Sequence, residues 1–157
     1  MTYLRGDQRK MAAEIVRVTT EEQLQMGLDI RKKVFVEEQK VPMEEEVDEY
    51  DVIGDNVHHM LLLDEGIPVA TGRMIYYKAD TAKMQRIAVH EAYRGKGYGR
   101  VLLLALEGLA REIGLKSSIL DAQCHAEDFY IKLGYKVISL EPFYDAGILH
   151  VRMEKAL

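Results

Sequence analysis

Apolar and polar positions follow two periods along this chain, and the points where one gives way to the other divide it into elements. Residues 14–18 alternate as a short strand. Thr20 and Gln23 have the spacing of a capping box. The helix they open carries a partial apolar stripe at Leu24, Leu28, Val34 and Phe35 and ends near Gln39, ahead of Pro42. Residues 58–64 and 69–77 read as two strands joined through Gly66 and Pro68, a hairpin. Gly72 inside the second strand predicts a bulge or a close approach. A further turn at 78–80 leads to a third strand over 83–89. Tyr98, Leu102, Ala105, Leu106, Leu109 and Ile113 then recur at close to helical spacing, and Gly114 closes that helix. A strand over 117–123 follows. A helix joins it to the third strand, so the two are expected to run parallel. A short helix over 126–133 ends at Gly134, and two last strands, 135–140 and 149–154, flank a loop over 141–147.

Strand, helix, three strands, helix, strand, helix, two strands is the order of an α/β fold built on a mixed sheet. A chain of 157 residues makes one domain by the usual prior, here placed at 14–157 behind an extension over 1–13, within which Met11 is an alternative start. Hydrophobic residues make up 48% and charged residues 30%, a globular composition. The net charge of −5 gives no basic face, so a nucleic-acid partner is not expected. Cys124 is the only cysteine, which excludes an internal disulfide and suits a reducing cytoplasm. The first residues carry no apolar core of a signal peptide, and no apolar run approaches the roughly 20 residues of a membrane span.

The chemistry concentrates between the third strand and the helix after it. Arg94, Gly95, Lys96, Gly97, Tyr98, Gly99 and Arg100 form a glycine-rich turn with three cations at a helix start. Free N–H groups at that helix end favour an anion, and glycine lets backbone approach it closely. A Walker loop is excluded because Gly97, not Ser or Thr, follows Lys96. A dinucleotide fingerprint is excluded because Arg100 stands where its last glycine belongs. Residues 44–51 hold the densest charge in the chain. They read either as a solvated loop or as a negative rim that steers a cationic substrate. His58-His59 and Cys124-His125 lack a second ligand pair at zinc spacing, so no metal is expected.

Arg94, Gly97 and Gly99 fill the pattern Arg/Gln-x-x-Gly-x-Gly/Ala, and Ala126, Phe129, Tyr130, Lys132, Gly134 and Tyr135 fill Ala-x-x-Phe-Tyr-x-Lys-x-Gly-Phe/Tyr. With both segments in this order, the chain resembles the GNAT superfamily of acyl-CoA N-acyltransferases from about Glu14 onward. Residues 35–42, 121–123 and 145–150 resemble its small bacterial ElaA-like branch, although Leu149 stands where that branch more often has proline.

The resemblance implies an acetyl-CoA-dependent N-acetyltransferase acting on a small cationic amine or a lysine side chain, with a non-catalytic acyl-CoA sensor as the alternative. It places coenzyme A on residues 94–100, on the main chain of Ile87, Ala88 and Val89, and on Gln123 and Phe129. It gives Tyr130 the part of general acid toward the leaving thiolate. Glu45, Asp48, Asp145 and His150 remain open as the base or as contacts to the acceptor. A homodimer through the last strands is a further implication.

Overall fold

The computed structural model describes residues 13–157. The expected extension and the start at Met11 lie outside them except for Ala13, which already pairs in the first strand. The elements are β1 (Ala13–Arg17), α1 (Glu21–Arg31) continued by a π-helical segment (Lys32–Glu38), α2 (Met43–Glu46), β2 (Val57–Asp64), β3 (Ile67–Lys78), β4 (Thr81–Val89), α3 (Tyr98–Ile113), β5 (Ser117–Gln123), α4 (Glu127–Lys132), β6 (Lys136–Val137), β7 (Phe143–Asp145) and β8 (Ile148–Ala156). They form one mixed sheet in the order β1-β2-β3-β4-β5-β8-β6, with β7 also paired to β8. The β4–β5 pair is parallel and every other pair antiparallel, as the α3 crossover requires.

Strand alternation sends β2 side chains to two cores. Met60 and Leu62 join Leu102, Leu103 and Leu106 of α3 on one face. Leu61 joins Ile30 and Val34, at and beyond the end of α1, on the other. The capping box is present, with the Thr20 hydroxyl accepting from Gln23 N–H and the Gln23 side chain answering on the Thr20 backbone. Gly72 shows the close approach foreseen for it, whereas the bulge lies on the partner strand opposite it. The register passes from Thr71–Ala88 to Arg73–Gln85, which leaves an extra residue on β4. A Cβ at Gly72 would stand 3.2 Å from Leu102 and from Leu106, so glycine is what lets α3 lie this close.

Three features differ from the sequence reading. The last helix turn expected before Gln39 opens into the π segment. On α3, Leu103 and Ala110 complete the buried face, while Ile113 is exposed. The loop over 141–147 contains β7, and the strand expected over 135–140 shrinks to Lys136–Val137, with Tyr135 turned inward ahead of it. Its hydroxyl donates to Glu107 at 2.8 Å, and Lys155 Nζ meets the other oxygen of Glu107 at 2.8 Å. This buried pair explains a carboxylate in the middle of the apolar face of α3. No helix among the described residues is long and apolar enough to cross a membrane.

Candidate active site

β4 and β5 are paired only from Thr81–Ser117 to Met84–Leu120. Beyond that point the strands part, and a cavity of about 870 Å³ opens between them. This is a size suited to a small-molecule ligand. The parting leaves main-chain groups of β4 without a strand partner. His90 N–H still points to β3, donating to the Val69 carbonyl at 2.8 Å, whereas the Val89 carbonyl faces the other way and accepts from Arg94 Nε at 3.0 Å. Ile87, Ala88 and Val89 all line the cavity.

At the upper end of the cavity the chain turns into α3. Gly95 and Gly97 take left-handed backbone angles, with φ of 83° and 79°, and Gly97 caps α3 without any side-chain bond to the free N–H groups. A Cβ on Gly97 would meet no protein atom within 4 Å, so open space faces that backbone. A Cβ on Gly99 would come within 3.7 Å of Val89 and 3.8 Å of Phe129, which packs β4, α3 and α4 together. Exposed N–H donors, a helix dipole and the nearby Arg100 fit a diphosphate.

The three cations of the loop are not equivalent. Arg94 is paired with Glu38. Lys96 does not line the cavity; its ammonium lies 3.7 Å from Asp64 and over the Tyr93 ring. Tyr98 donates to the same Asp64 at 2.6 Å, and that bond, with some burial, pushes its phenol up to about 12.

α4 brings Phe129 and Tyr130 to the cavity wall. The Tyr130 ring packs edge-on against Phe129 and Tyr135, and burial pushes its phenol up to about 12. Tyr130 lines the cavity, and its Oη makes no hydrogen bond with any described residue. Across from it, Gln123 pairs with His150 in the β5–β8 register. The Gln123 amide donates to Gln39 at 2.9 Å and accepts from His125 at 2.6 Å. His150 is 8% exposed, stacks on Phe143, and donates from Nδ1 to the Ile148 carbonyl at 2.7 Å. A carbonyl can only accept, so Nδ1 carries a proton, and in the neutral imidazole this tautomer has its lone pair on Nε2.

The acidic run departs most from expectation. Glu46 is 3% exposed, and the Asp51 side chain is equally sequestered. Arg31 Nε bonds Glu46 at 2.8 Å and its Nη1 bonds Asp51 at 2.5 Å. Arg73 bonds Asp48 at 2.7 Å and Asp51 at 2.9 Å. Burial works against ionisation of Asp48 and Asp51, but the arginine hydrogen bonds and charges outweigh it and hold both below the usual carboxylate range. Asp48 is held by Arg73 and lies outside the cavity lining. Glu45 and Asp145 do line the cavity and are exposed.

The sequence reading passed over Glu38, Gln39 and Arg86, which line the same cavity. A signal existed for the arginines: Arg73 stands in an otherwise apolar strand, and a buried cation demands a carboxylate. The histidine pairs serve as local polar contacts. His59 meets the Tyr50 carbonyl, His58 meets Tyr76, and His125 meets Gln123.

Comparison with known proteins matches residues 16–157 to the acetyltransferase (GNAT) domain family. YjcF of Bacillus subtilis, described as an uncharacterized N-acetyltransferase, is 42% identical over 135 residues, covering 86% of this chain and 94% of that protein. The structure of an acyl-CoA N-acyltransferase from Pseudomonas aeruginosa superposes with a TM-score of 0.82 at 28% identity, covering 92% of this chain and 99% of that one. Escherichia coli ElaA superposes with a TM-score of 0.81 at 27% identity, covering 91% and 99%.

Proposed function

Because the chain belongs to the GNAT acetyltransferase family, in its ElaA-like branch, we propose that it moves the acetyl group of acetyl-CoA directly to a primary amine. The observation that carries this reading is the parting of β4 and β5. It leaves one cavity in contact with a bare helix N-terminus, an open strand edge, an unengaged phenol and a histidine with a free lone pair.

Amide formation from a thioester needs a polarised carbonyl, a neutral amine and a proton for the departing thiolate. The diphosphate of the co-substrate would sit on the N–H groups of Gly97, Tyr98 and Gly99 with Arg100 beside it. The arm would lie along Ile87, Ala88 and Val89, with Gln123 and Phe129 on its other side. A main-chain N–H at the open edge of β4 would polarise the carbonyl. Tyr130 would supply the proton, since a phenol pushed up to about 12 remains protonated at neutral pH. His150 is the base we favour, through Nε2, directly or by way of a water; Glu45 and Asp145 would draw the incoming ammonium to the cavity. A second copy pairing along the last strands, where Leu140 and Tyr144 are exposed, accords with this assignment.

Calorimetric titration with acetyl-CoA, followed by thiol release across amines, tests the reading. Micromolar binding with amine-dependent release supports it. Binding without release from any amine leaves an acyl-CoA sensor, and no binding overturns the assignment of residues 94–100.

A further inference from the structure

Arg86 occupies an unusual place. It sits in the bulge of β4, between the Arg73–Gln85 and Thr71–Ala88 pairs, immediately before Ile87 at the open edge. Its φ of 56° is left-handed, a conformation that costs an arginine free energy and persists only where the surroundings impose it. A bulge of this kind breaks the in-out alternation and re-aims a side chain. Here it brings the guanidinium to the cavity wall, 24% exposed.

The guanidinium is poorly matched by its neighbours. Its Nε reaches the Glu46 carbonyl at 3.2 Å, and its Nη2 reaches the Glu45 carbonyl at 3.5 Å and Asp48 Oδ2 at 3.4 Å. Each carboxylate near it already has a closer partner. Glu46 Oε1 takes Arg31 at 2.8 Å against 3.4 Å for Arg86. Asp48 Oδ2 takes Arg73 at 2.7 Å against 3.4 Å for Arg86. Arg31 and Arg73 thus hold Glu46, Asp48 and Asp51 at the shorter distances, and Arg86 is left with long contacts. Burial and the charges of Arg73 and Arg31 lower the Arg86 pKa, whereas the carboxylates around Arg31 raise that of Arg31. A planar fork of donors with no close carboxylate of its own, at the wall of a ligand cavity, matches the geometry of an incoming carboxylate.

We propose that Arg86 receives a carboxylate carried by the acceptor, so that the acceptor class is an amino acid rather than a polyamine or a lysine side chain. This rests on the acetyltransferase reading above. The amine of such a molecule lies within a few bonds of its carboxylate. That separation suits a guanidinium one residue from Ile87, on the wall of a cavity that His150 and Asp145 also line. Within the acidic run, Glu46, Asp48 and Asp51 anchor the arginines behind this subsite.

The test is thiol release from acetyl-CoA with the protein amino acids, each beside its α-carboxamide, and with a linear polyamine. Wild type should prefer at least one free amino acid to its carboxamide by about 100-fold in kcat/KM, the scale of losing one partner of a buried charged hydrogen bond. In Arg86→Gln that preference should collapse to within about fivefold, with Arg86→Lys between the two and acetyl-CoA affinity unchanged in both. Carboxamides or the polyamine used as well as free amino acids by wild type would overturn the inference and leave the acetyltransferase reading standing. Release with none of them, despite tight acetyl-CoA binding, would sink both. If Arg86→Gln fails to fold, the wild-type ratio and Arg86→Lys decide.

Discussion

Arg94 holds Glu38 through two hydrogen bonds, Nη1 to Oε2 at 2.6 Å and Nη2 to Oε1 at 2.8 Å, while its Nε donates to the Val89 carbonyl. One side chain therefore ties the phosphate loop to the end of β4 and to the π segment that follows α1. The pairing lowers the pKa of Glu38 and raises that of Arg94. It also neutralises the first cation of the loop, so Arg100 is left as its less compensated charge.

Glu38→Gln should release that neutralised charge. Both partners are well exposed, and such a pair contributes at most about 1 kcal/mol, so stability should hardly change. Acetyl-CoA should bind two- to fivefold more tightly, by roughly 0.4–1 kcal/mol at low salt, and the gain should vanish at high salt. Calorimetry at two ionic strengths measures this. Weaker binding at both would mean that Glu38 positions Arg94 for the ligand instead of competing with it.

Gly97→Val tests the loop itself. At φ of 79° a β-branched residue pays roughly 1–2 kcal/mol of backbone strain and fills the open space in front of the helix N-terminus. Affinity for acetyl-CoA should fall by more than about tenfold, or 1.4 kcal/mol. Gly66, in the β2–β3 turn at φ of 83° with equally open surroundings, is the control: Gly66→Val should show the strain and leave affinity intact. Equal losses in both variants would reduce the effect to stability.

Much of this site was legible in the sequence. The glycine pattern at 95–99 marked one wall of the cavity by its residue types at fixed spacing, and the Phe129-Tyr130 pair marked another through the family resemblance. What stayed hidden is pairing at long range. The run from Glu44 to Asp51 reads as surface by composition. The burial of Glu46 and of the Asp51 side chain within it depends on Arg31 and Arg73, which arrive from α1 and β3 and carry no local sign of their target. Glu107 and Tyr135 teach the same lesson, since the helix pattern cannot announce Lys155.

Asp51→Asn probes that network. It leaves two guanidinium groups facing a neutral amide in a site where the Asp51 side chain is 2% exposed. Breaking a buried pair from one side costs roughly 3 kcal/mol, or a Tm lower by about 6–12 °C for a chain of this size. Because Asp48 and Asp51 sit below the usual range in the fold, their stabilisation is whole above about pH 4 and fades as acid protonates them. Wild-type stability should therefore drop on acidification, and the variant, having lost its share at every pH, should trace a flatter acid limb in thermal melts. An acid limb as steep as wild type would remove Asp51 from the account.

Tyr130→Phe removes a hydroxyl with no hydrogen-bond partner among the described residues, so the melting temperature should barely move. Acetyl-CoA affinity should likewise persist, while kcat falls by about 100-fold, the lower end of what a positioned acid supplies. Turnover at the wild-type rate would end its assignment as the acid.

His150 offers the sharpest separation of chemistry from structure. Its Nδ1–H is fixed on the Ile148 carbonyl, so only Nε2 can take a proton from an amine. His150→Gln keeps a polar side chain of similar size but supplies no comparable base, and kcat/KM should fall by about 100-fold at neutral pH. The need for a base comes from the amine being protonated, and an ordinary primary amine loses its proton near pH 10, as lysine does at about 10.4. Raising the pH supplies the neutral amine from bulk solution, so the deficit of His150→Gln should shrink steadily between pH 7 and pH 10. A residue that merely supports the Phe143 stack would give a deficit that does not change with pH. A flat deficit, measured with the same acceptor at saturating acetyl-CoA, would transfer the assignment to Asp145 or Glu45, two exposed carboxylates among those that line the cavity.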